Sequence, residues 1–298
     1  MIRFLAAVSL FLGFSRPGNA SDLSISVSGG EVKLSWPQAG LQRHYLQKNS
    51  TAQFANENWL NIADPVAEAG EWRISEAADL PRCFYRLAEW EILFDGASLA
   101  AFRGYHRAGL PPASVWTITP EKELMSVAVS GGAAISNNDL VTLNSYQNFE
   151  LRWEWKTSNN GNSGIVFRLT EPTSTNYSTQ TGPEYQLLDD AHSALTGKRL
   201  MGAAYGLFAP GPKTLVPTGQ WNSCRLIVRG TNVQHWLNGG KVLEYEMAGA
   251  AWQSAVATYS DGGLLPGFGQ TANAPLALQH HGEQTWFRNI MIRRLHVP

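Results

Sequence analysis

Between Asn148 and Thr157 the chain alternates without a break: Phe149, Leu151, Trp153 and Trp155 at the odd positions, Glu150, Arg152, Glu154 and Lys156 at the even ones. Successive side chains of an extended strand point to opposite faces, so this segment suits only a strand with core on one side and water on the other. The next residues, Asn159-Asn160-Gly161-Asn162, tolerate the positive φ of a tight turn, and Ser163 to Thr170 reads as the return strand. Further strands are expected at 115–119, 123–129, 183–189, 204–208, 221–229, 232–238, 241–246, 275–281 and 285–295. Many antiparallel strands with little helix predict an all-β, two-sheet antiparallel sandwich.

The N-terminus is of another kind. Arg3 is followed by an apolar run from Phe4 to Phe14, a Pro17-Gly18 break and the small-residue ending Gly18-Asn19-Ala20. This is the pattern of a secretory signal peptide cut after Ala20, and its apolar run falls short of the roughly 20 residues a permanent anchor needs. A secreted or periplasmic protein with no membrane contact after cleavage is expected. From 21 to 90, runs such as Val32-Lys33-Leu34-Ser35-Trp36 and Cys83-Phe84-Tyr85-Arg86-Leu87, parted by polar and glycine turns, predict a small antiparallel sandwich. It holds no ionisable cluster with site-like spacing, so an accessory role in spacing, glycan or surface contact is expected. The chain thus divides into a signal peptide (1–20), a small β-sandwich module (21–90) and a larger sandwich (91–298).

A formal charge of −1, from 23 basic and 24 acidic residues scattered along the chain, offers no field for a polyphosphate backbone, which excludes nucleic acid as a partner. The 11 tryptophans suit sandwich cores and, secondarily, stacking on sugar rings. Cys83 and Cys224 fall in separate modules with no His or Cys at metal-ligand spacing, and are read as structural.

Strand parity selects the candidate site. With Ile165 and Phe167 in the core, Arg168 turns outward; with Tyr185 and Leu187 inside, Glu184 and Gln186 turn outward; with Leu276 and Leu278 inside, Gln279 and His281 turn outward, and Glu154 joins them from the first strand. If these strands are neighbours in one concave sheet, two carboxylates, an arginine, two amides and an imidazole converge, the make-up of a carbohydrate site. Solvated strands linked by cross-strand ion pairs carry the same residue types. Asn162, Asp189 and His192, at the ends of these strands, join Gln186 and Gln279 as candidate substrate-binding residues. His280 has the wrong parity and is read as packed or at the rim.

From Ile92 to Leu295 the chain also resembles the 3-keto-disaccharide hydrolase family, also described as 3-keto-glucoside lyases and hydratases. The resemblance is carried by Leu93-Phe94-Asp95-Gly96, by Asn148-Phe149-Glu150-Leu151 with Glu154-Trp155, and by Gly161-Asn162-Ser163-Gly164-Ile165 running to Arg168. It continues through Glu184-Tyr185-Gln186-Leu187-Leu188-Asp189, Gly202-Ala203-Ala204-Tyr205, Gly219-Gln220-Trp221-Asn222 and His235-Trp236-Leu237-Asn238-Gly239. It ends with Leu278-Gln279-His280-His281-Gly282 and Phe287-Arg288-Asn289-Ile290, where His280 replaces an aspartate of many relatives. It implies a concanavalin A-like jelly roll acting on a carbohydrate. The first module, through Leu34-Ser35-Trp36-Pro37 and Phe84-Tyr85-Arg86-Leu87, loosely resembles fibronectin type III-like modules.

A ketone at C3 acidifies the C2 hydrogen and places the glycosidic oxygen β to the carbonyl, ready to leave. Such an elimination needs a base at C2, a group that holds the enolate at the C3 oxygen and an acid at the departing oxygen; water added to the product gives net hydrolysis. His281 suits proton transfer near neutral pH. Glu184 and Glu154 serve as base or acid, or join His281 as ligands of a divalent metal ion that holds the enolate, while Arg168 supplies positive charge without a metal. Two other readings stay open: a lectin-like binding module without turnover, and a conventional glycosidase with Glu154 and Glu184 as its carboxylate pair, roughly 5–10 Å apart.

Overall fold

The computed structural model describes residues 23–38, 44–50, 60–62, 64–78, 83–129 and 137–295, so the expected signal peptide lies outside the described residues. The described residues divide into two compact units between Trp90 and Glu91, with Leu295 grouped with the first.

The first unit contains β1 (Ser24–Ser28), β2 (Glu31–Pro37), β3 (His44–Asn49), β4 (Leu60–Asn61), β5 (Val66–Glu68), β6 (Glu71–Ala77) and β7 (Phe84–Glu89). They form a four-stranded sheet, β1-β2-β6-β5, and a three-stranded one, β4-β3-β7. In β2 every second residue, Val32, Leu34 and Trp36, is buried, and these side chains meet Leu46, Ile74 and Tyr85 in a small apolar core.

The second unit contains β8 (Glu91–Phe94), β9 (Phe102–Gly104), β10 (Trp116–Ile118), β11 (Leu124–Ser126), β12 (Leu140–Thr142), β13 (Phe149–Thr157), β14 (Asn162–Val166), β15 (Glu184–Leu188), β16 (Asn222–Arg229), β17 (Asn232–Leu237), β18 (Gly240–Glu246), the helix α1 (Gly249–Ala257), β19 (Ala277–Leu278) and β20 (Thr285–Arg294). An eight-stranded sheet runs β10-β11-β20-β13-β16-β17-β18, with β8 also on β20; a five-stranded sheet runs β15-β14-β19-β12-β9. This is a two-sheet antiparallel jelly roll.

The two sheets meet where parity requires. Trp153, Trp155, Phe167, Leu187 and Leu278 are each no more than 1% exposed and share one core cluster. Each contributes about 2–3 kcal/mol by leaving water. Tyr185 ties the sheets together: its ring meets Trp153 edge-on and stacks on His235, and its hydroxyl donates to the Trp236 carbonyl at 2.8 Å. Cys83 and Cys224 are both unbridged.

Three sequence expectations change. The Asn159–Asn162 turn does not close a hairpin, because β13 and β14 belong to different sheets. Asn160 takes φ 58°, and a Cβ on Gly161 would stand 1.4 Å from Thr157 Oγ1, so this sharp crossing requires glycine. Residues 204–208 form a tight loop, with Ala204 and Phe208 exchanging backbone hydrogen bonds around Gly206 at φ 69°, rather than a paired strand. Helix α1, which sends Trp252 and Ala255 into the core, was not anticipated. No described helix is long and apolar enough to cross a membrane.

Candidate active site

The outer face of the five-stranded sheet carries most of the expected residues. Tyr185 and Leu187 face the core, which turns Glu184 and Gln186 out, and the register opposes Gly164 to Gln186 and Val166 to Glu184. On the other side of β14 the Gln279 backbone N–H donates to the Gly164 carbonyl at 2.9 Å. Leu278 opposes both Ile165 and Leu140, so Asp139 falls beyond Gln279. Gln186, Gly164, Gln279 and Asp139 therefore form one lateral row. Gln186 also donates to Asn162 Oδ1 at 3.1 Å, fixing both amides.

Gly164 is the gap in this row, and Glu184 fills it. A Cβ built on Gly164 would lie 1.8 Å from Glu184 Oε1, so the carboxyl rests on the glycine backbone between two amides. Oε1 is buried without a hydrogen-bond partner, as is Gln279 Oε1. Burial first, and the charge of Asp139 second, push the Glu184 pKa well above the usual carboxylate range, which favours the protonated form. Two phenols border it: Tyr205, whose backbone amide donates to the Glu184 carbonyl at 3.1 Å, and Tyr259, which packs on Gly206. Burial raises both phenol pKa values, and Glu184 adds to the effect. Behind them Asp261 grips Arg199 through two hydrogen bonds.

Asp139 accepts from Ser178 Oγ at 2.6 Å and from the His280 amide at 2.9 Å, yet burial lifts it from 3.8 to about 6. A carboxyl with a raised folded-state pKa binds its proton more tightly in the folded chain, so its contribution is full below pH 4 and is lost as the pH rises to about 6. Asp139→Asn is therefore expected to gain stability relative to wild type across that window, by about 3 kcal/mol. Urea unfolding at pH 4 and pH 7 measures it, and an unchanged difference between the two would contradict a buried, raised carboxyl.

His281 reaches the same face, close enough to Asp139 for the two to interact electrostatically. Its Nδ1 lies 2.7 Å from Glu283 Oε2, which fixes the ring and leaves Nε2 for a ligand. His280 points the other way, buried edge-on against Trp116 with Nε2 3.0 Å from the Val127 carbonyl. Asp189 accepts from the backbone of Asn160 and Ala191, from Thr218 and from His192 Nδ1 at 2.7 Å. Burial alone would raise its pKa, but these bonds outweigh it and hold the carboxylate below its usual range.

Two expected members are elsewhere. Glu154 lies on the outer face of the eight-stranded sheet, opposite in direction to the buried Trp153 and Trp155, where it accepts from Arg288 Nε at 2.8 Å and Asn289 Nδ2 at 2.6 Å. The whole core separates it from Glu184. Arg168 takes φ 53°, which breaks the alternation, and its guanidinium donates to the Gly230 and Gly269 carbonyls at the edge of the sandwich. The metal set Glu154, Glu184 and His281 is thereby dispersed. Among the described residues no three His, Cys, Asp or Glu side chains gather as metal ligands.

A family model described as the 3-keto-alpha-glucoside-1,2-lyase-like domain matches residues 89–293. The chain belongs to this family. A 3-keto-disaccharide hydrolase of Bacteroides thetaiotaomicron is 30% identical over 228 residues, 68% of this chain and 77% of that one. Two crystal structures of candidate glycosyl hydrolases from Parabacteroides distasonis superpose with TM-scores of 0.61 and 0.53, each at 26% identity, covering 69% and 70% of this chain and 94% and 100% of theirs.

In this 3-keto-alpha-glucoside-1,2-lyase-like domain four site residues escaped the sequence reading. Glu283 was legible, because it follows His281 at the i+2 spacing that keeps two side chains on one side of an extended segment. Tyr205 sits in the Gly202–Tyr205 stretch but was assigned to a strand. Asp139 precedes a three-residue strand and Tyr259 follows an unforeseen helix, and neither position carried a periodic signal.

Proposed function

We propose that this protein cleaves 3-keto-glycosides by removing the C2 proton, expelling the C1 oxygen and adding water to the product. The observation that carries the reading is a Glu184 carboxyl buried without a hydrogen-bond partner at Oε1, on the same sheet face as a His281–Glu283 pair. Strongly displaced carboxyl groups in a polar cleft mark sites of proton chemistry.

His281, oriented by Glu283, is the base at C2. Glu184 and the two phenols are hydrogen-bond donors for the enolate oxygen at C3: a carboxylic acid kept neutral by its surroundings donates to a developing oxyanion. They take the place that the sequence reading gave to Arg168. Gln186, Gln279 and Asn162 hold substrate hydroxyls. The conventional glycosidase loses its carboxylate pair, since Glu154 and Glu184 lie on opposite outer faces. A lectin has no need of a displaced acid beside an oriented imidazole.

The signal-like N-terminus supports action outside the cytoplasm, and residues 21–90 we assign an accessory role in glycan or surface contact. The test is turnover of a 3-keto-glucoside against its parent glucoside, where consumption of the oxidised sugar alone is expected. Cleavage of both at similar rates would overturn the elimination. Glu154→Gln, on the far face, is expected to leave turnover unchanged and to cost no more than about 1 kcal/mol of stability. A large loss of turnover in that folded variant would place the site on the wrong sheet.

A further inference from the structure

Resting on that reading, we propose that His192, oriented by Asp189, is a second proton-transfer residue, acting at the glycosidic oxygen and then at the water that replaces it. Its Nδ1 is held 2.7 Å from Asp189 Oδ2, and that carboxylate is itself fixed by Asn160, Ala191 and Thr218. The Asp189 side chain is 3% exposed and that of His192 45%, so an immobile buried carboxylate presents a ring whose Nε2 has no partner among the described residues.

The pair stands at the same end of the sheet as His281–Glu283, because β14 runs antiparallel to both β15 and β19. The two pairs flank the 158–161 turn. Ser158 donates its amide to the Gln284 carbonyl at 3.1 Å on one side, and Asp189 donates its amide to the Gly161 carbonyl at 3.0 Å on the other. The strands from whose ends the two pairs extend, β15 and β19, lie two strand spacings apart, roughly 10 Å, the scale of one sugar ring with its glycosidic oxygen.

The chemistry needs two such groups in opposite states. In the elimination His281 takes the C2 proton, and the C–H electron pair becomes the C1–C2 π bond. The C1–O pair leaves on the aglycone oxygen, which receives its proton from imidazolium His192. The step ends with His281 protonated and His192 neutral, the states that hydration requires. His192 then takes a proton from water as its oxygen bonds C1, and His281, its proton by then exchanged with solvent, protonates C2. The starting states are restored, and the balance is one water consumed per glycoside.

The test compares wild type with His192→Asn, whose amide keeps a donor to Asp189, on two 3-keto-glucosides. A nitrophenolate leaves without a proton, whereas a methoxide does not. The variant is expected to lose about 10²-fold or more in kcat/KM on the methyl glycoside and no more than about threefold on the nitrophenyl one, with an unchanged melting temperature. Equal losses on both, or none on either, would overturn the assignment, since a loop-pinning ion pair has no reason to sense the leaving group. Wild-type protein inert on both would remove the elimination reading itself, and this role with it.

Discussion

Replacing His281 with alanine is expected to lower kcat/KM on a 3-keto-glucoside by about two to four orders of magnitude, the usual worth of a positioned proton-transfer group. The ring is partly exposed and hydrogen-bonded through Glu283, so the folded state should survive its loss. Glu283→Gln should cost less, about tenfold, because it releases the orientation of the imidazole while leaving the base in place. His280→Ala should do the reverse. Its ring is buried against Trp116, so its removal opens a cavity and destabilises the fold, with little change in the rate of the molecules that remain folded. Rates normalised to folded protein separate the three variants. A His281→Ala protein with wild-type rates would remove the base from the mechanism.

Gly164→Ala is the second large effect. The added methyl would stand 1.8 Å from Glu184 Oε1 and 2.6 Å from its carboxyl carbon, so the acid must swing away from the row formed by Gln186 and Gln279. Loss of one preorganised donor to a developing oxyanion costs about 10²-fold or more, and that is the expected fall in kcat. KM should change less, since the amides that hold substrate stay on their own strands. Glu184→Gln, which keeps the shape but offers a far weaker acid, should resemble it. A Gly164→Ala variant with unaltered kcat would show that the position of the carboxyl over this glycine has no part in the chemistry.

The sheet was legible because its signal is local. The alternation of Phe149, Leu151, Trp153 and Trp155, and the parity of Tyr185, Leu187 and Leu278, follow from the two-residue repeat of a strand and from burial on one face. What parity does not carry is which sheet a strand joins. A sandwich has two outer faces, and Glu154 and Glu184 are both outward by the same rule, yet one belongs to β13 in the eight-stranded sheet and the other to β15 in the five-stranded sheet. The 158–161 turn decides this, and a turn with a positive φ at Asn160 serves a hairpin and a crossing equally. Arg168 failed for a different reason. One residue at φ 53° ends the two-residue repeat, and no residue type other than glycine, or an asparagine or aspartate, announces such a conformation. Gln186, Gln279, Asn162 and His281 kept their places because each lies within or next to a run that stays regular.

The most direct test is to follow a 3-keto-glucoside in D2O by NMR or mass spectrometry. The account predicts that the released 3-keto-glucose carries one deuterium at C2, that a 1,2-unsaturated sugar forms transiently, and that His281→Ala abolishes both. Release of 3-keto-glucose with its C2 hydrogen intact would contradict it, because cleavage would then have proceeded by displacement at C1 without the proton transfer that the outer face of the five-stranded sheet is proposed to perform.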